Sequence, residues 1–211
     1  MHNEEKVKTV YYVICAVMAV FFLVPFVWMV LTAFTKATFV MKIFPHSDWT
    51  LANIAYVWQQ VPFPTYYKNT ITIVVCTYFI QFFTITFAAY ALACLKFKGK
   101  RFVFLIIFIQ MIIPNDILIM PNFMTVSDLH LGDTKLAIMI PFLGSAMGTF
   151  LLRQHFKTIP SALSDAATID GCNTLQIIRH VYIPNARTAY ISFGLISVSY
   201  HWNNFLWPLI V

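Results

Sequence analysis

Polar side chains inside apolar stretches are the residues of this 211-residue sequence whose types could do chemistry. An ionisable or amide side chain is costly at bilayer depth, so each one is a candidate for function. One group is Asn115, Asp116 and Asn122, in which the two asparagines are seven residues apart and share a helix face. Pro114 and Pro121 are expected to kink that helix and free backbone carbonyls toward a cavity. An equally weighted alternative is that Asn115 only satisfies hydrogen bonds broken by the kink.

A second group of polar side chains lies near the end of the sequence, at His201, Asn203, Asn204 and Trp207. His201, Asn204 and Pro208 would share one helix face, because they are spaced at i, i+3 and i+7. Amides beside aromatic rings suit a sugar, whose hydroxyls form hydrogen bonds and whose C–H faces stack on rings. Hydrogen bonding between helices is an equally weighted interpretation.

Neither group contains a catalytic constellation. No HExxH motif, His-rich cluster, paired carboxylates or metal-ligand spacing occurs, so no catalytic residue and no metal site is predicted. The sequence therefore favours a binding or transport role over an integral-membrane enzyme.

The elements that position these side chains are membrane-spanning helices. Apolar residues make up 60% of the sequence and charged residues 10%, and the mean hydropathy is +0.74. A chain with so little charge cannot cover a water-soluble surface. A span needs roughly 20 apolar residues, which predicts an all-α, polytopic membrane helix bundle forming one domain over residues 1–211. The predicted spans are about Val10–Phe34, Thr70–Leu95, Phe102–Val126, Leu136–Leu152 and Thr188–Val211.

The basic residues predict the orientation of these spans. With the N-terminus in the cytoplasm, ten Lys and Arg residues lie inside and four outside, and all four Arg are inside. This bias follows the positive-inside rule, so the net charge of +6 reads as a topology signal rather than a nucleic-acid footprint. The polar segment 153–187 is therefore expected to be cytoplasmic. The last apolar stretch stops at Val211 without a polar flank, which favours a truncated C-terminus.

The cytoplasmic segment has the pattern of two short helices joined by a sharp turn. Thr158 is a candidate N-cap with Pro160 in the first turn, and the helix is expected to reach about Asp170. Gly171 would supply the left-handed residue that reverses the chain. A second helix is expected from about Leu175 to Tyr182, ending before Pro184. Insertion into a groove of a partner and packing beneath the chain's own bundle are equally weighted interpretations of this element.

The hairpin carries a two-part motif, which is Asp165-Ala166-Ala167-x-x-Asp170-Gly171 followed, after nine residues, by Val181-x-Ile183-Pro184. This motif resembles the "EAA" signature of binding-protein-dependent ABC importer permeases. That family has Glu where Asp165 stands, Ile at 181 and Leu at 183. The likeness extends along the chain to the second permease subunit of the maltose and glycerol-3-phosphate group. The segments that carry it are Pro114-x6-Pro121, Phe150-Leu-Leu-Arg-Gln-His-Phe156 and Trp202-Asn-Asn-Phe-Leu-Trp-Pro208. The family usually has six helices, so five of an expected six would be present in a type I importer fold.

This resemblance implies a transport subunit of the bacterial inner membrane that is not itself an enzyme. Residues 158–184, including Asp165, Ala166, Ala167, Asp170, Gly171 and Pro184, would form a coupling helix docked on a separate ATPase. The implied partners are two copies of that ATP-binding subunit, a second permease in a heterodimer and an extracytoplasmic solute-binding protein, within membrane lipid. ATP and Mg would bind the ATPase. This chain would hold no cofactor, and it lacks the G-x4-G-K-[ST] loop.

The implied cargo is a sugar or related small polar solute. A glycerol-3-phosphate-type importer is the alternative, although the interiors of the predicted spans contain no Lys or Arg to hold an anion. A less favoured alternative is an ion-coupled secondary transporter, suggested by Asp116 and His201. Such transporters show inverted repeats, which this sequence does not, and the coupling loop would then have no role.

Overall fold

The computed structural model describes residues 2–36 and 49–211, with only the backbone for residues 2–4. The described residues form α-helices, joined by short 3-10 and π-helical turns, with no β-strand beyond an isolated bridge between Thr35 and Trp49. The predicted all-α class is confirmed. The chain divides into two compact units, Met1–Tyr66 and Tyr67–Val211.

The first unit contains one long helix and one short helix. Helix α1 spans His2–Ala33 and includes Pro25, and α2 spans Ala52–Gln60. The Thr50 hydroxyl accepts a hydrogen bond from the Ala52 amide at 3.1 Å, which satisfies one free donor at the start of α2.

A series of helices, several of them broken, continues the chain from Phe63. They are α3 (Phe63–Ala93), α4 (Lys100–Ile112), α5 (Ile119–Asp128), α6 (Lys135–Met139), α7 (Ala146–Thr158), α8 (Ser161–Ile169), α9 (Thr174–Ile177), α10 (Ile183–Asn185), α11 (Arg187–Trp202) and α12 (Leu206–Ile210). The 3-10 turns are Asn115–Leu118 and Ile140–Phe142, and a π-helical turn covers Ile178–Tyr182.

Two helices of the described chain, within Glu5–Ala33 and Phe63–Ala93, are long and apolar enough to cross a membrane. Two bent pairs pass the same test together and would raise the number to four. Residues 100–112 and 115–128 meet at 99°, and residues 135–142 and 146–158 meet at 43°. Helix α11 falls within the fifth predicted span, but with 16 residues it is shorter than the 18 residues that this test requires. A multi-spanning helical protein is therefore confirmed, whereas the number of five spans stays a prediction.

The third predicted span is broken rather than continuous. Helix α4 ends at Ile112, and Ile113 is extended (φ −77°, ψ 119°), because the ring of Pro114 excludes a helical conformation in the residue before it. The kink predicted at Pro121 is wrong. Pro121 is the third residue of α5, in the first turn, where its missing N–H leaves no helical hydrogen bond unmade.

The fourth predicted span is also broken, and α3 supports the break. The carbonyl oxygens of Phe142 and Leu143 leave the helical ladder near Pro141. The Gln81 side-chain amide donates to Phe142 O at 2.6 Å, and the Thr84 hydroxyl donates to Leu143 O at 2.7 Å. Two side chains of α3 thus satisfy carbonyls that would otherwise be unpaired within the membrane.

The core of the second unit lies where α3, α7, the segment 177–186 and α11 meet. Its buried members are Ile85, Ala89, Leu152, Phe156, Ile177, Tyr182, Ala186, Ala189, Tyr190 and Phe193. Gly148 permits the close approach of α7 to two of these residues. A Cβ atom at Gly148 would lie 2.7 Å from the Phe193 ring and 3.0 Å from Ile85.

Candidate functional site

The motif residues Asp165–Gly171 form a short exposed helix with a defined C-terminal turn. Helix α8 ends at Ile169, and Gly171 adopts φ +82°, as predicted for a left-handed reversal. The Gly171 amide donates to Thr168 O at 3.0 Å, and the Cys172 amide donates to Ala167 O at 2.9 Å. These two bonds make a Schellman motif, which fixes the direction in which the chain leaves α8.

Two boundaries of this helical hairpin differ from the prediction. Thr158 is the last residue of α7 and its hydroxyl donates to His155 O, so Thr158 does not cap α8. Pro184 does not follow the second helix but lies within α10. The π-helical turn 178–182 precedes Pro184, and such a turn rearranges the hydrogen bonds around a residue that lacks an N–H.

The start of the second helix carries a capping box that the sequence analysis missed. The Asn173 side-chain oxygen accepts a hydrogen bond from the backbone N–H of Gln176 at 3.0 Å. In return, the Gln176 side-chain oxygen accepts one from the backbone N–H of Asn173 at 2.8 Å. Asn and Gln three residues apart before an apolar run are the sequence signal for this motif. Together, the turn at Gly171 and the capping box fix both sides of the connection between α8 and α9.

The base of the hairpin is packed into the core of the second unit. Tyr182 is 5% exposed, and its ring meets the rings of Tyr90 and Phe156 edge-on at 5.2 and 5.1 Å. Burial, and next a side-chain hydrogen bond with Cys94, raises the pKa of Tyr182 to about 12, while a hydrogen bond with Ser164 opposes the shift. Tyr182 is therefore neutral at physiological pH and ties the hairpin to α3 and α7.

The tip of the hairpin is exposed and partly apolar. Ile169 is 86% exposed, Leu175 62% and Leu163 45%. Of the two motif alanines, Ala166 is exposed, whereas Ala167 packs against the core cluster. One side of the hairpin packs on the bundle, as one of the two interpretations expects, and the other side is exposed among the described residues. Insertion of that exposed side into a groove of a partner stays a prediction.

The polar residues singled out in the third and fifth stretches converge on one cavity of about 490 Å³. Its lining includes six of the seven candidates, which are Asn115, Asp116, Asn122, His201, Asn204 and Trp207. The seventh, Asn203, lines a neighbouring depression with Asp116, and its amide donates to Ser199 O at 2.7 Å.

One of the two expected helix faces does not exist. The 3-10 turn that carries Asn115 runs directly into α5, which carries Asn122, so both belong to one helical segment after the bend. Helix α11 ends at Trp202, so His201 and Asn204 are not on one helix. Asn204 lines the cavity from the break that follows α11.

The cavity is completed by polar residues that the sequence analysis did not select. Ser197 donates to the Gln81 side-chain oxygen at 2.6 Å, and the Asn115 amide donates to the Tyr200 hydroxyl at 3.1 Å. Gln110 also lines the cavity. Gln81 and Gln110 are amides inside apolar stretches, so the criterion that selected Asn115 would have found both.

The family model described as "Binding-protein-dependent transport system inner membrane component" matches residues 84–211. That range covers more than half of the chain and contains both the hairpin 158–184 and most of the cavity lining.

Two relatives and one solved structure are similar over nearly the whole chain. The arabinooligosaccharides transport system permease protein AraQ of Halalkalibacterium halodurans is 31% identical over 209 residues, covering 96% of this chain and 74% of the relative. The lactose transport system permease protein LacG of Rhizobium radiobacter is 31% identical over 203 residues, with the same coverages.

The solved structure is a crystal structure of a bacterial ABC transporter involved in the import of the acidic polysaccharide alginate. It matches with a TM-score of 0.89 and 27% identity, over 100% of this chain and 75% of that chain. The fold, the family match and the relatives agree, and the resemblance read from the motif around Asp165 is confirmed. The chain belongs to the binding-protein-dependent transport system inner membrane components, the permease subunits of ABC importers, and is a transport component rather than an enzyme.

Proposed function

We propose that this subunit moves a sugar across the inner membrane by alternating access, with the hairpin 158–184 docked on a separate ATP-binding subunit. The observation that carries the proposal is the two-sided hairpin. Its tip exposes Ile169 and Leu175, while its base buries Tyr182 in the bundle. An element with one apolar side for a partner and one side anchored in the core can transmit a rigid-body movement.

The mechanism follows from this arrangement. Closure of two ATP-binding subunits on ATP would draw two coupling hairpins together. Each hairpin would carry its core contacts with it, because the packed interior transmits displacement instead of absorbing it. The paired permeases would then change from inward-facing to outward-facing, driven by the different affinity of the ATPase for ATP in its two states.

The partners in this proposal are more specific than the family alone implies. A family of binding-protein-dependent permeases works with an ATPase and a solute-binding protein. We infer a second, different permease chain, two copies of the ATPase, and a cytoplasmic N-terminus for this chain. ATP and Mg would bind the ATPase, and this chain would hold no cofactor.

The sugar cargo is supported by the cavity and by the relatives. Amide side chains line the cavity beside Phe142 and Tyr200, an arrangement that offers hydrogen bonds and aromatic surface together. The two relatives named above are permeases for arabinooligosaccharides and for lactose.

The test is uptake by proteoliposomes that contain this chain with its partner permease, ATPase and solute-binding protein. ATP supplied on the side of the membrane that carries the ATPase should drive accumulation of a labelled sugar. A proton gradient without ATP should drive none. Full uptake on a proton gradient alone would contradict the proposal and favour an ion-coupled secondary transporter.

A further inference from the structure

The charge of the cavity lining is one-sided. Asp116 is the only acidic residue among the described lining residues, and none of them is Lys or Arg. The other polar groups, such as Gln81, Asn115 and Asn122, are neutral amides. An anion entering this space would meet a carboxylate and no compensating cation, so repulsion between like charges would oppose its entry.

An aromatic corner borders the same space. The rings of Phe142, Tyr200 and His201 pack edge-on, with centroids 5.7 Å apart for Phe142–Tyr200 and 5.2 Å for both pairs that include His201. The Asn115 amide donates to the Tyr200 hydroxyl at 3.1 Å, which joins this corner to the segment that carries Asp116. A sugar ring has an apolar C–H face and an edge of hydroxyl donors, so it matches a corner of rings beside a carboxylate.

We propose that Asp116 makes this cavity a charge filter, which admits polyhydroxylated solutes without negative charge and rejects phosphorylated or carboxylated ones. The inference rests on the proposed function and specifies its cargo. The Asp116 carboxylate can accept hydrogen bonds from two hydroxyl groups at once, and hydrogen bonds to a charged acceptor are the stronger kind. The same group repels a phosphate ester or a uronic acid.

This filter separates the present chain from two kinds of importer in its family. A glycerol-3-phosphate-type cargo, the alternative raised by the sequence, carries the charge that Asp116 would oppose. The solved structure that resembles this chain comes from a transporter involved in the import of an acidic polysaccharide. Discrimination of this kind works mainly by disfavouring the wrong ligand, which one charge in the cavity lining can do without adding contacts to the right one.

The experiment compares matched solutes on the purified complex of this chain with its partner permease and ATPase, without the solute-binding protein. Lactose and lactose-6-phosphate are titrated by calorimetry, as are arabinose and arabinose-5-phosphate. Asp116→Asn removes the charge but keeps the shape of the side chain. Asp128→Asn is the matched control, since Asp128 lies at the end of the same helical segment and outside the cavity lining. Thermal melting and ATPase rate verify that each variant is folded.

The wild-type complex and Asp128→Asn should bind a neutral sugar at least about ten-fold more tightly than its phosphorylated counterpart, which is about 1.4 kcal/mol. Asp116→Asn should reduce that ratio by about ten-fold. An unchanged ratio in Asp116→Asn, tighter binding of a phosphorylated solute to the wild type, or no binding of any of the four solutes would overturn the filter. ATP-driven uptake is measured on proteoliposomes that contain the same complex together with its solute-binding protein. Its presence alongside any of these outcomes leaves the proposed function standing, whereas its absence removes both.

Discussion

The ring of Tyr182, in the turn that ends the coupling hairpin, lies edge-on against the ring of Tyr90 in α3, with centroids 5.2 Å apart and planes at 80°. This contact joins the hairpin to the same helix that carries Gln81, which lines the cavity. One helix therefore contacts the base of the hairpin proposed to dock on the ATPase and also lines the space proposed for the solute. Coupling by a rigid body needs such a shared element.

Gly171→Ala tests the turn of the hairpin. Gly171 has φ +82° and no atom within 4 Å of an added Cβ, so the substitution should cost only backbone strain, about 1–2 kcal/mol. Gly171→Pro cannot adopt that φ and removes the amide that bonds Thr168 O, so ATP-driven uptake should be lost while membrane insertion is kept. Gly132→Ala is the control, because Gly132 is equally unobstructed and is not left-handed. Uptake by Gly171→Pro at the wild-type rate would contradict this role.

Tyr182→Ala and Tyr182→Phe separate the packing of the anchor from its hydroxyl. Loss of the ring from a buried site should destabilise the protein by about 3–5 kcal/mol, as other aromatic truncations do, and should loosen the hairpin. ATP hydrolysis should then continue with little uptake. Tyr182→Phe keeps both ring contacts and should retain most of the uptake per ATP. If Tyr182→Ala transports as much solute per ATP as Tyr182→Phe does, the ring of Tyr182 does not anchor the hairpin.

Gln81→Leu tests the support of the broken fourth span. The Gln81 side chain bonds Phe142 O and receives a bond from Ser197, and its removal leaves the carbonyl unpaired, at a cost of about 1–3 kcal/mol. The melting temperature in detergent should fall. Gln110→Leu is the control, because Gln110 lines the same cavity but is exposed. A double-mutant cycle with Ser197→Ala should show a coupling energy, and additive effects of the two substitutions would argue against the network.

Gly148→Ala tests the close approach of α7 to α11. The new methyl group would lie 2.7 Å from the Phe193 ring, so the ring or one of the two helices must shift, at about 1–3 kcal/mol. Gly144→Ala, with nothing within 4 Å, should leave the melting temperature unchanged. Equal stability of the two variants would show that the helices are not packed in this way.

The features that local chemistry decides could be predicted from the sequence. The reversal at Gly171 follows from the glycine itself, and the break at Pro114 from the ring that excludes a helical residue before it. The motif around Asp165 led to the family. The fold class followed from the scarcity of charge.

Other features depend on contacts between distant residues, and the sequence does not display those. Gln110 precedes the 99° bend whereas Asn115 and Asn122 follow it, yet all three line one cavity, which helical spacing alone does not show. The support of Phe142 O by Gln81 joins residues 61 positions apart. Ala167 belongs to the motif expected to dock on a partner, yet it packs against a core cluster formed by other helices, which the sequence of α8 does not show.

The most direct measurement is site-specific photo-crosslinking from the tip of the hairpin to the ATP-binding subunit. A photoreactive phenylalanine replaces Ile169, which is 86% exposed, or, as the control, Leu129, which is 55% exposed in the loop predicted to be external. Position 169 should crosslink to the ATP-binding subunit, with a yield that changes when ATP is added, and position 129 should not. No crosslink from position 169, or a crosslink from position 129, would contradict docking of this hairpin on the ATPase.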